Sequence, residues 1–236
     1  PHPRMKAALS RRVIVSLAGL VCFGAGALAY VRGAVPAGET LPLTGGALIF
    51  AAALARRYGI ALPGNGFSSY VVGVMLYAIL DRGWAFAALV APFAMIVGDL
   101  LLRRLPPRAA LNNAAHLTMG TTIVGLMYTR MGGQTGAAAL TAGNLWLVAL
   151  VVALLPVVVN GTFYLDLALG KTIAWVDARL TLRWETIVYL TSVALALGWL
   201  GLAHAAMPTG PTALVAAGLA LATAGSVHVI RLGVHA

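Results

Sequence analysis

Long apolar runs, broken by short loops that hold most of the basic residues, constrain this chain more than any other feature. A bilayer core about 30 Å thick is crossed by roughly 20 apolar residues in helical form. Eight such runs can be drawn, over about residues 13–31, 42–55, 66–80, 84–102, 109–129, 145–169, 186–206 and 212–230. The second and third are short for a crossing. Charged residues are only 9% of the chain and hydrophobic residues 61%, whereas a soluble domain carries about 25% charged residues. A soluble fold of this size could not cover its surface with so few charges. The expected class is therefore an all-α integral membrane protein, a single polytopic domain over 1–236 with no soluble domain. Its expected architecture is a bundle of about eight transmembrane helices.

The basic residues test that division independently. With the N-terminus in the cytoplasm, thirteen of the sixteen Lys and Arg fall in inner segments. Only Arg32, Arg82 and Arg130 fall in outer ones. This is the positive-inside pattern, and it places both termini in the cytoplasm, in a membrane of the bacterial inner type. The net charge of +10 is thus read as an orientation signal, with no nucleic-acid partner. The first run has a basic flank, as a signal peptide does. Without an evident Ala-x-Ala site, it is read as a retained helix. Cys22 is the sole cysteine, so no intrachain disulfide can form.

Two connections stand out. Residues 56–66 contain Pro63 and three Gly, which exclude a regular helix. The segment is either a cytoplasmic loop or a re-entrant one within protein-lined space. Between Lys171 and Glu185, Ile173, Val176, Leu180 and Trp184 recur at helical spacing among charged residues. That pattern predicts an amphipathic interfacial helix near 172–184.

Polar groups inside a bilayer are costly, so they mark candidate sites. Asp99 precedes Arg103 by one helical turn and can pair with it. Asn112 and His116 share a face of the fifth run, with Asn113 beside them. The sixth run carries Asn160 and Asp166. Three readings of this group stay open. It is interhelical glue, or a pocket for a small ligand, proton or ion, or a cofactor site in which His116 binds a haem or chlorophyll-type metal. His204 and His228 do not match His116 in depth. No His-Glu-x-x-His, Walker loop, Gly-x-Ser-x-Gly or Cys-x-x-Cys occurs, so no enzyme and no metal site is expected.

A Leu41-Pro-Leu-Thr run is followed by Ala55-Arg-Arg-Tyr58, the Pro63-Gly64 break, Gly98-Asp99-Leu-Leu-Leu-Arg103-Arg104 and Leu111-Asn-Asn113-Ala-Ala-His116. This order resembles the multi-span sensor-type membrane domains that precede GGDEF, HD-GYP or histidine kinase modules in bacteria. The likeness covers about residues 40–170 and rests on short motifs. It implies a non-catalytic input domain that signals to the cytoplasm. The sequence departs from the pattern in reaching Ala236, five residues past Arg231, with no output module. Two other expectations therefore stand beside it. One is an accessory subunit of a larger energy-transducing or photosynthetic membrane complex. The other is a small-solute transporter. Expected partners are membrane lipids, together with other membrane subunits or further copies of the chain.

Overall fold

The structure, a computed structural model, describes residues 3–33, 41–62, 66–169, 175–206 and 208–235. Its helices are α1 (Pro3–Val31), α2 (Leu41–Arg57), α3 (Val71–Arg82), α4 (Trp84–Met95), α5 (Pro107–Arg130), α6 (Leu145–Leu169), α7 (Trp175–Ala203) and α8 (Thr209–His235). Four stretches are long and apolar enough to cross a membrane: Val13–Val31, Trp84–Leu102, Thr181–Ala203 and Thr209–Val234. By length and composition this is a helical membrane protein. The main core lies among α3 to α7, around Met75, Leu76, Ile79, Phe86, Val90, Leu117, Val124, Val151, Leu155 and Leu200.

Two expectations need correction. The third apolar run does not start as a helix at residue 66. Gly66–Ser68 is a strand, β2, paired antiparallel with β1 (Ile60–Leu62) in the register Ile60↔Ser68 and Leu62↔Gly66. After α2 ends at Arg57, β1 and β2 thus form a hairpin, and its ladder satisfies backbone groups that a broken helix would leave bare. Ile60 and Leu62 sit in a second, smaller core with Tyr70, Val188 and Ile230, which joins the hairpin to α7 and α8.

The second correction concerns the amphipathic segment, which forms no separate helix among the described residues. From Trp175 onward it is the first part of α7, and residues 171–174 lie outside the described residues. Neither Gly nor Pro occurs between Trp175 and Leu197, so nothing local ends the helix before it enters the apolar run.

Gly83 alone separates α3 from α4. Its φ of 90° and ψ of 174° are open to glycine and strained for other residues. A single residue thereby reverses the chain, and α4 packs back along α3. At its far end α4 passes into a π-helical segment, Ile96–Leu102, in which Arg103 N–H bonds to Gly98 C=O at 3.0 Å. Pro106 and Pro107 then stop one helix and start the next, Pro107 lying in the first turn of α5, where a missing N–H costs nothing.

Candidate functional site

Asp99 lies in the π-helical segment and its side chain is fully buried. Four donors from three helical elements converge on it. Arg56, near the end of α2, forks onto it, with Nε donating to Oδ1 at 2.7 Å and Nη2 to Oδ2 at 3.2 Å. Arg103 Nη1 donates to Oδ1 at 2.8 Å, and Asn113 Nδ2 of α5 donates to Oδ2 at 2.7 Å. Each carboxylate oxygen therefore accepts two bonds, which fills its capacity. Such charge-assisted bonds are the strong class. Without them a buried carboxylate would be prohibitively costly.

Local sequence explains the convergence. Gly98 lets α2 approach, since a Cβ there would fall 2.8 Å from Arg56 Cβ. Arg103 is held one turn on from Asp99. The π segment loosens the last turn of its helix, and such segments recur at functional sites. Phe67 of the hairpin closes the arrangement. Arg103 Cζ lies 3.6 Å and Arg56 Cζ 4.7 Å from the centre of its ring, so both cations meet one aromatic face or edge.

The hairpin also touches the last helix. Arg231 Nη2 of α8 donates to Tyr58 C=O at 2.6 Å and to Gly59 C=O at 3.0 Å, in the turn between Arg56 and β1. Tyr70, just past the hairpin, donates to Ser226 Oγ of α8 at 2.8 Å.

Of the residues singled out in the sequence, the structure joins Asp99 and Asn113 directly. His116 is buried on α5 (3% exposed). Asn112 is half-buried, and its Oδ1 has no hydrogen-bond partner among the described residues. Asn160 is half-buried on α6. Beside it, Val159 of α6 packs on Gly120 of α5. That is seven residues along α5 from Asn113, about 10 Å, and no described bond links Asn160 to Asp99. The side chain of Asp166 lies outside the described residues. Of Asp99, Asn112, Asn113, His116, Asn160 and Asp166, the described contacts thus join the first and the third. No group of three or more His, Cys, Asp or Glu able to hold a metal occurs among the described residues.

Sequence reasoning missed three members. Arg56 and Arg231 read as topological charges, and Phe67 as part of an apolar run. It also missed a second cluster, at the other end of α4. Asp81, at the end of α3, is buried and accepts from Arg82 Nε at 2.9 Å, while His204 Nε2 of α7 lies 2.7 Å from its other oxygen. Tyr77, one turn earlier, also bonds to it. No protein-family model, curated protein or solved structure matches this chain.

Proposed function

We propose that the chain is a non-catalytic, sensor-type membrane domain with eight spans and both termini in the cytoplasm. In this reading the Asp99 cluster lies at the inner side and reports to the cytoplasm through α8. The observation that carries it is the bond pair from Arg231 to Tyr58 and Gly59. These carbonyls stand in the short turn between a guanidinium of the Asp99 cluster and the hairpin that bears Phe67. Arg56 stands two residues before Tyr58, and the ring of Phe67 lies against Gly59, so a change in the cluster that moves either is felt at the grip of α8. Signalling then needs two packings of this end separated by a few kcal/mol.

The test is a distance measurement. With Cys22 replaced by Ser, spin labels at Ala61 and Leu232, both exposed, report the spacing of hairpin and α8 in nanodiscs. Asp99→Asn should shift or broaden that distribution, as should Arg231→Gln. An Asp99→Asn distribution identical to that of the parent would sink the coupling. A reporter fused after Ala236 that functions only outside the cytoplasm should stay silent, and activity there would refute the orientation.

The accessory-subunit reading is supported by bare apolar faces. Leu214, Leu221, Val229 and Leu232 of α8 and Ile14, Leu20 and Val21 of α1 are each more than half exposed. Lipid accounts for such faces equally well, so stoichiometric partner chains retained through mild purification would be needed to prefer it.

A further inference from the structure

We infer that the arginine pair at Asp99 is a binding site for a phosphate group, carried by an anionic phospholipid headgroup or free in the cytoplasm. The inference rests on the orientation proposed above, which puts this end of the bundle at the inner leaflet.

The first ground is charge. Two guanidinium groups share one carboxylate, and the fourth bond to that carboxylate comes from the neutral amide of Asn113. One positive charge is left over in a largely buried cluster. Among the described residues, Asp99 is the acid paired with both guanidinium groups, and no other is paired with either. The chain has no Asp or Glu between Glu39 and Asp81, nor between Asp99 and Asp166. Those stretches include all of α2, the hairpin and α5.

The second ground is donor count. Guanidinium carries five N–H donors. Among the described residues Arg103 spends a single nitrogen, Nη1, on Asp99, and Arg56 spends Nε and Nη2. The carboxylate is saturated, so Asp99 itself can take neither a cation nor a further donor. Most of the open donor capacity of the site belongs to its cations, and it suits an oxyanion.

The third ground is preorganisation. Phe67 covers Arg103 at 3.6 Å, and Asp99 holds the guanidinium in place. The side chains of Arg103 and Arg56 nevertheless remain 18% and 12% exposed. A planar fork with a fixed orientation and an open edge is the geometry that binds phosphate bidentately. Three exposed arginines flank it. Arg57 follows Arg56, Arg104 follows Arg103 with its backbone turned to a φ of 56°, and Arg108 sits in the first turn of α5. Clustered basic residues just cytoplasmic of membrane helices attract anionic lipid.

The test uses the full chain, delipidated in a neutral detergent. Phosphatidylglycerol, phosphatidylcholine and sodium phosphate are titrated separately, and thermal unfolding is followed. Phosphatidylglycerol should raise the unfolding temperature by several degrees and phosphatidylcholine should not. If millimolar sodium phosphate gives the same rise, the free ion is a sufficient ligand. If phosphatidylglycerol alone does so, the ligand is the headgroup. Arg103→Lys keeps the charge but loses the fork. It should weaken the phosphatidylglycerol response by roughly tenfold, as expected for one charge-assisted hydrogen bond. Arg103→Gln should abolish it. Arg130→Gln, at the opposite end of α5, should leave it intact. An equal response to phosphatidylcholine, or an unchanged response in folded Arg103→Lys, overturns the inference. The hairpin-to-α8 distances test the sensor reading separately, because Asp99→Asn acts on them without added lipid.

Discussion

The two ends of α4 carry the same device built in two ways. At each, a buried aspartate is gripped by an arginine close in sequence and by a second nitrogen base from a distant helix. Asp81 has Arg82 and His204, and Asp99 has Arg103 and Arg56. The difference lies in how the second partner holds on. His204 contacts Asp81 through one ring nitrogen, and its side chain is 31% exposed. Arg56 uses a two-point fork and is 12% exposed. The Asp81 cluster is a tie between α3 and α7 at a wetter rim. The Asp99 cluster is a drier junction of α2, α4 and α5, with more positive than negative charge. The comparison teaches that a shared pairing scheme does not make a shared role. At Asp81 the device clamps helices together. At Asp99 two guanidinium groups share one carboxylate, and by the proposal above the device also binds an anion.

The largest way to break this contrast is Asp99→Ala. It leaves two guanidinium groups facing each other with little water, and should cost about 3–5 kcal/mol, the scale for an orphaned buried ion pair. Denaturant or thermal unfolding in detergent would measure it. Asp81→Ala should cost less, about 2 kcal/mol, because its partners are partly solvated and lose only charged hydrogen bonds. Equal losses at the two sites would erase the distinction between dry junction and wet tie. Phe67→Leu keeps apolar bulk but removes the aromatic face, and about 1 kcal/mol should be lost. Combined with Arg103→Gln, the loss should be smaller than the sum of the two single losses, since both remove one contact. Smallest is Arg231→Gln. Its stability effect should stay within about 1 kcal/mol, because the bonds go to carbonyls near the surface. The same change should alter protection of the amides in residues 58–62 against hydrogen exchange, while those of α5 stay unchanged.

The sequence showed where helices lie better than what they touch. Each of the eight α-helices among the described residues overlaps an apolar run, because each must bury or shield its length. The Asp99–Arg103 pair was also legible, since a spacing of four fixes a shared helical face. Asn113 was flagged by its polarity. Arg56 was not, because it lies 43 residues from Asp99 and nothing local sets how α2 rotates against α4. The same holds for His204, 123 residues from Asp81. Phe67 hides in an apolar stretch whose hydropathy predicts a helix from residue 66. That stretch contains Ser68 and Ser69 beside Gly66, a composition that weakens a helix start and allows a strand.

Gly83 has a mechanical consequence for both clusters. From this one-residue joint to Asp99 the chain runs sixteen residues in helical form, a rod of about 24 Å. Asp81 sits beside the pivot, and Asp99 near the tip. A tilt of about 5° at the joint would carry the tip sideways by about 2 Å over that length. A shift of that size would pull apart hydrogen bonds of 2.7–2.8 Å at the tip, while those beside the pivot would barely stretch. The molecule is in that sense a lever, its short arm tethered to α7 by His204 and its long arm ending in the arginines.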